Sequence, residues 1–292
     1  MSQEARSFVG STNVLKAIKH LVENPVFDVV NYYRSNNKIN AAGDALELFV
    51  KDIFAGILDN QNEDEKLATY ERVYSYFGNA SNPPDLMIIG GDAIEVKKLI
   101  SDSASIALNS SYPSAKLFSD SLMITKTCRI CEVWSERDLI YAIGSVNQEK
   151  LSSLWLVYGD CYAASREVYE KIKQKIAKGV SEIQGVEFSA TKELGRVNKV
   201  DPLGITNLRI RGMWQIDHPR KVYQYLNIPD QRNAALKVFA LMREEKYLSF
   251  PFEDRRWLET AETSNLTIAD VKIKSPDNPV KRIPAKLISF QI

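Results

Sequence analysis

The sequence predicts an α/β fold, and three observations carry that reading. Apolar residues recur at helical spacing over about 41–58. A glycine-turned pair of apolar runs occupies 86–100. Two β-rich runs, 138–144 and 154–159, lead into a long amphipathic stretch at about 164–183.

In the first helix, which Asn40 is placed to cap, Ala45, Leu46, Phe49, Val50, Ile53, Phe54 and Ile57 fall at i, i+3, i+4 and i+7. At about 100° per residue they cover roughly half the circumference, and Glu47 lies about 20° beyond the edge at Phe54, a partly sheltered border carboxylate. A second helical stretch, Leu67 to Phe77, brings Tyr70, Tyr74, Tyr76 and Phe77 and runs into a turn-rich segment, Gly78 to Pro84. The pattern then changes to strand. Leu86 to Ile89 is apolar, Gly90-Gly91-Asp92 supplies hairpin chemistry because glycine tolerates positive φ, and Ala93 to Ile100 alternates.

After the strands at Asp138–Gly144 and Leu154–Gly159, the helix from about Ala164 to Ile183 puts Val168, Ile172, Ile176 and Val180 on one stripe. Beyond it are expected a polar, basic loop from Thr191 to Pro202, a strand from Ile205 to Met213, helices near 220–227 and 232–247, and a strand-like C-terminus. His218 beside Pro219 marks a helix start, with Asp217 as its expected cap.

Composition excludes more than it selects. In 292 residues, 38 Lys and Arg balance 37 Asp and Glu, so net charge names no partner. With 45% hydrophobic and 26% charged residues the chain is neither disordered nor collagen-like. Three cysteines are too few for a disulfide scaffold of this size and fit a reducing cytoplasm. The N-terminus lacks a signal-peptide core and no stretch approaches the roughly 18 apolar residues of a membrane helix, so a cytoplasmic protein without a membrane partner is expected. Two histidines, His20 and His218, disfavour sites built from several imidazoles. Local charge is asymmetric: residues 43–72 carry eight acidic and three basic side chains, whereas 192–221 carry seven basic and three acidic, a block that can meet phosphate.

The sharpest local feature is Pro83-Pro84-Asp85, nine residues, then Glu95-Val96-Lys97, with the hairpin turn between. Alternate residues of a strand share a face, so Glu95 and Lys97 point one way while Ile94 and Val96 pack the other, and Asp85 begins the facing strand. Two hard oxygen ligands suit Mg²⁺, which keeps several waters and binds substrate phosphate. A neighbouring lysine orients or deprotonates the attacking water and stabilises charge on a phosphorane-like transition state. Such a set hydrolyses phosphodiesters. Taken alone, the pattern also describes many half-exposed strands; its place on a hairpin, with Glu47 offered by the upstream helix, raises it above that.

At these residues the chain resembles the PD-(D/E)xK nuclease superfamily, and more closely the NgoPII family of type II restriction endonucleases. The resemblance rests on Gly43 to Glu47 with Val50 to Phe54, Asn82 to Asp85, Gly90 to Lys98, Ala107 to Pro113, Leu139 to Gly144, Leu154 to Ala164, and Thr191 to Pro202 with Leu208 to Trp214. It spans roughly residues 12 to 227. It implies a restriction-endonuclease-like core, a mixed central β-sheet flanked by helices, with additional C-terminal DNA-recognition elements: one domain over 1–292, its catalytic core at about 40–185 and its recognition and accessory region at about 186–292. It implies a homodimer that uses Mg²⁺ to cut double-stranded DNA at the palindrome GGCC, leaving 5′-phosphate and 3′-hydroxyl ends, beside a cognate DNA methyltransferase. Carried over by residue, Asp85 and Glu95 are metal ligands, the backbone carbonyl of Val96 reaches the ion, Lys97 orients water, and Glu47 is a further acid.

Each GGCC half-site presents two guanines, which arginine reads bidentately through O6 and N7. Arg209 and Arg211 share one strand face, with Ile210 anchoring the other and Gly212 permitting close approach; Arg196, Asn198 and Lys199 precede them. Phosphate positioning is an equal alternative for each. Asn109, Ser110, Ser111 and Tyr112 follow the catalytic strand in a turn where they contact DNA or cap the turn. Lys98 points away from Lys97. Cys128-x-x-Cys131 lacks the further ligands that structural zinc needs. Two alternatives stay open: a structure-directed or repair nuclease of the same superfamily, and a noncatalytic sequence-specific DNA-binding protein. A monomer that cuts each strand in turn is the alternative to the dimer.

Overall fold

The computed structural model describes residues 12–34, 42–58, 62–79, 81–108, 110–231, 233–261 and 263–292; Asn40 lies outside them. Four helices lead: α1 (Val14–Glu23), α2 (Val29–Arg34), α3 (Ala42–Ala55) and α4 (Glu63–Val73). Helix α3 is the expected amphipathic one, with Ala45, Leu46, Phe49, Val50, Ile53 and Phe54 buried. Asn62 caps α4, its side-chain oxygen accepting from the Asp64 and Glu65 amides.

The chain then enters the hairpin elements β1 (Tyr74–Asn79), β2 (Asn82–Ile88) and β3 (Ala93–Leu99). The second helix therefore ends earlier than its spacing predicts. Tyr74 and Tyr76 are buried and Phe77 is exposed, because alternation takes over where this segment can pair with β2. There follow β4 (Ile106–Ala107), β5 (Lys116–Phe118), α5 (Lys126–Ile130), β6 (Glu136–Asn147), β7 (Lys150–Tyr158), α6 (Gly159–Tyr162) and α7 (Arg166–Ser181). The last third holds β8 (Gly195–Val197), β9 (Leu208–Ile210), β10 (Gln215–Ile216), α8 (Pro219–Val222), β11 (Lys237–Arg243), α9 (Glu244–Ser249), α10 (Phe252–Thr260), β12 (Leu266–Lys274) and β13 (Arg282–Gln291).

The main sheet runs β1-β2-β3-β6-β7-β11-β13-β12, with β5 added to the start of β6. It is mixed: β3 with β6 and β7 with β11 are parallel, and its other neighbouring strands are antiparallel. Helix α3 packs on one face, where Leu46 fills the space above Gly144; a Cβ there would lie 2.6 Å from Leu46 Cδ1. On the other face Tyr162 of α6 meets the Tyr141 ring at 5.6 Å between centroids. The strands from the region past residue 230 continue this same sheet.

Three expectations are corrected here. The segment 232–247 is not a helix but β11 followed by α9, since its apolar run is buried on both faces between β7 and β13 and so shows no alternation. The strand expected over 205–213 is confined to 208–210, paired with β8 as a short ribbon. The apolar stripe of α7 lies at the surface, with Val168, Ile172 and Ile176 nearly half exposed and β8 packed against the helix. His218 itself caps α8, its Nδ1 accepting from the Arg220 amide at 3.1 Å in place of the expected Asp217. The cysteines are free, and the Cys131 thiol donates to the Cys128 carbonyl at 3.0 Å. Among the described residues no helix is long and apolar enough to cross a membrane.

Candidate active site

The β2–β3 hairpin turns at Gly90, whose φ is +65°, and its ladder runs Met87 to Ala93 and Leu86 to Ile94 before it stops. Behind the turn, buried Asp92 accepts from the Tyr158 hydroxyl at 2.6 Å and from Lys246 at 2.7 Å, and the same ammonium reaches Asp138 at 2.7 Å. The hairpin is thus fastened to β7 and α9 while its open end is left to the side chains.

At that open end Asp85 Oδ2 accepts from the Val96 amide at 2.6 Å. Room for Asp85 is made by β1, where a Cβ on Gly78 would lie 2.3 Å from the Pro84 carbonyl oxygen and 2.8 Å from Asp85 Cα. On β3, Glu95 and Lys97 share a face as alternation requires, and Lys97 Nζ pairs with Glu95 Oε1 at 2.6 Å. Glu95 is 9% exposed, and its second oxygen is buried with no hydrogen-bond partner. Lys98 is exposed and β3 pairs with β6 in unbroken register, so no bulge turns it inward.

The electrostatics join four groups. The Glu95 carboxyl is raised to about 7, chiefly by burial, with Asp85 and Glu47 adding to the rise and Lys97 opposing it. Burial also raises Asp85, against Lys97 and the Val96 hydrogen bond. Burial raises Glu47 too, helped by Asp85 and Asp44, so the border carboxylate of α3 feels the hairpin's charge. For Lys97 burial disfavours the charged form, but Glu95, Asp85 and Glu47 outweigh it and hold the ammonium above its ordinary value. Three carboxylates against one ammonium leave an excess of negative charge in a sheltered place, which a cation relieves.

Among the described residues no three side chains of His, Cys, Asp or Glu converge into a ready-made metal cage. An all-oxygen pair with an orphaned buried carboxylate oxygen fits Mg²⁺, which takes one or two carboxylates and keeps waters, and does not fit a closed zinc site. In an extended strand the N–H and C=O of one residue face the same edge, so the Val96 carbonyl opens beside Asp85 as well.

Asp85, Glu95 and Lys97 line a cleft of about 940 Å³ whose lining also includes Glu193, Arg196, Arg209 and Arg211. Arg196 and Arg209 are cross-strand partners on the β8–β9 ribbon, and Arg209 and Arg211 both pair with Glu193. Ser110 also lines the cleft. Asn198 and Lys199 do not: Asn198 accepts from Ser189 at 3.5 Å, and Lys199, with φ +51°, lies 3.9 Å from Glu187. Tyr112 is turned away, stacked on Tyr169 at 5.6 Å, its hydroxyl donating to Glu170 at 3.0 Å and pushed up to about 12 by burial and that carboxylate. Asn109 lies outside the described residues. Sequence reasoning passed over Glu193 and Lys192; the signal available was an acid directly beside Lys192 at the start of the basic stretch 192–211.

Comparison with known proteins agrees with this chemistry. The NgoPII restriction endonuclease family matches residues 12–274. The chain is 47% identical over 283 residues, 96% of its own length and 100% of the relative's, to the type II restriction enzyme NgoPII of Neisseria gonorrhoeae. No solved structure matches it.

Proposed function

The chain belongs to the NgoPII restriction endonuclease family and is a site-specific deoxyribonuclease, and from that premise we propose that it hydrolyses double-stranded DNA at GGCC with Mg²⁺. The observation that carries this reading is the meeting of Asp85, Glu95 and Lys97 beside a buried, unpartnered carboxylate oxygen, in a cleft that arginines also line.

Asp85, Glu95 and the Val96 carbonyl would hold the ion, with Glu47 as a further acid beside it. Mg²⁺, when bound, supplies positive charge that offsets the negative charge developing on the phosphate. Lys97, held by Glu95 and kept protonated by the surrounding carboxylates, orients the attacking water and stabilises developing charge; the direction of its shift favours that role over removal of a proton. Cleavage leaves 5′-phosphate and 3′-hydroxyl ends. Arg209, Arg211 and Arg196 face guanine edges or phosphates, with Ser110 nearby; Asn198 and Lys199 contact the backbone outside the cleft. The whole chain works as one domain, with its catalytic part at about 40–185 and its recognition and accessory part after it.

A palindromic target is matched by two-fold protein symmetry, so the working form is a homodimer with one active site per strand. Sedimentation showing monomer both free and on GGCC duplex would count against it. A chain of this specificity in the cytoplasm needs its host's GGCC sites protected by a cognate methyltransferase.

Digestion of plasmid DNA with and without Mg²⁺, with Lys97→Ala as control and sequencing of the ends, tests the reading. Ends confined to GGCC, absent without metal and absent for the variant, are expected. Scattered ends would remove the target, and intact DNA would remove the reaction.

A further inference from the structure

Two of the arginines that line the cleft, Arg209 and Arg211, share one carboxylate. Glu193 Oε2 accepts from Arg209 Nε at 3.0 Å, and Oε1 accepts from Arg209 Nη2 at 2.7 Å and from Arg211 Nε at 2.5 Å. The carboxylate side chain is 14% exposed, whereas those of Arg209 and Arg211 are 57% and 54% exposed. The acid therefore sits enclosed between two cations that still present donors to the cleft, since each guanidinium carries five N–H groups. Hydrogen bonds from both arginines hold its carboxyl below the usual range, so it is an acceptor at neutral pH. Its own amide is fixed by the Thr191 hydroxyl at 3.1 Å.

A wall built to bind phosphate gains nothing from a carboxylate, which repels the backbone. A wall built to read a G·C pair does gain. In the major groove guanine offers the O6 and N7 acceptors, which take donors from arginine, and its cytosine offers the N4 amino donor, which takes an acceptor such as a carboxylate; Arg209, Arg211 and Glu193 bring both kinds together. We propose that Glu193 is a specificity-determining residue: it accepts from a cytosine N4 amino group while Arg209 and Arg211 donate to guanine, and it keeps both arginines paired and quiet on DNA without the target. The proposal rests on the reading of the target as GGCC. It adds rejection to attraction, because a thymine O4 set against this carboxylate places acceptor against acceptor, and a phosphate meets like charge.

The test measures binding in the Lys97→Ala background, so that DNA is not cut, on three duplexes: GGCC, GGCC with pyrimidin-2-one replacing one cytosine and so lacking the N4 amino group, and a duplex without the site. Loss of the amino group is expected to weaken the parent roughly tenfold or more, the scale of one good base contact. With Glu193→Ala added, that penalty should vanish while affinity for site-free DNA rises several-fold. Glu193→Gln, which keeps an acceptor oxygen, should restore part of the penalty, and it carries the comparison if the alanine variant does not fold. A penalty of equal size with and without Glu193 would overturn the proposal and leave the residue as a brace for the arginines. A parent that binds GGCC no better than site-free DNA would instead remove the target, and this role with it.

Discussion

The Val96 amide donates to Asp85 Oδ2 at 2.6 Å at the point where the β2–β3 ladder has ended, so a side chain takes the place of the next strand residue. One strand edge thereby serves the sheet up to Ile94 and the active site from Val96 onward. The Asp85 carboxylate is fixed by backbone, not by a second mobile side chain, which suits a group that must hold its place when charge arrives.

That placement depends on an absent methyl group. Gly78→Ala would press on the Pro84 carbonyl and Asp85 Cα, backbone atoms that cannot swing aside. It is expected to lower single-turnover cleavage at least tenfold. Gly90 has φ +65° but nothing near the Cβ position, so Gly90→Ala should cost about 1 kcal/mol in melting and cleave normally. Equal cleavage by both variants would refute the distinction.

Glu95 should make the metal-free protein less stable in alkali. Its carboxyl is raised from about 4.5 to about 7, so between those values the folded chain keeps a proton that the unfolded chain has released. Stability contributed by that proton is present at low pH and is lost as pH rises through about 7. Glu95→Gln is expected to melt higher than wild type at pH 8 without metal, by an amount of order 2 kcal/mol, with the gap closing by pH 5. A pH-independent difference would show that the proton is not involved.

Bound cation relieves the same strain. Mg²⁺ at a hundredfold excess over its Kd should stabilise the wild type by about 2.7 kcal/mol, seen as a rise in melting temperature. Asp85→Ala should show little of this rise. Protons compete for Glu95, so the metal effect should weaken as pH falls below about 7.

Lys246 joins Asp92 and Asp138 beneath the hairpin. Lys246→Met leaves two sheltered carboxylates facing each other and is expected to lower the unfolding free energy by about 3 kcal/mol or more, measured by denaturant titration. Adding Asp138→Asn should recover part of the loss. No recovery would place the effect in packing instead.

Loss of Arg209 or Arg211 to alanine should weaken binding to GGCC by about 1–3 kcal/mol while changing site-free DNA much less. A uniform loss on both duplexes, with a shallower salt dependence, would reassign the residue to phosphate.

The meeting of Asp85, Glu95 and Lys97 was legible because a hairpin keeps them within one local unit: alternation put Glu95 and Lys97 on one face, and glycine chemistry placed the turn. The longer apolar periods of α3 were equally plain. What failed was non-local. Lys237–Arg243 is rich in helix formers, and its strand character comes from β7 and β13 on either side. Tyr74–Asn79 leaves α4 without a glycine or proline and becomes strand through β2. Glu193 was passed over because its partners, Arg209 on β9 and Arg211 just after it, lie 16 and 18 residues ahead. Tyr112 read as a DNA contact or a turn cap because its stacking partner belongs to α7, out of reach of local spacing.

The placement of β11 sets a timetable for synthesis. The hairpin bearing Asp85, Glu95 and Lys97 is translated early, yet β7 stays an open edge until Lys237–Leu241 has left the ribosome and paired with Ser153–Val157. A message broken before that point yields a chain with a long unpaired strand, which sticks to its like instead of settling into a working sheet.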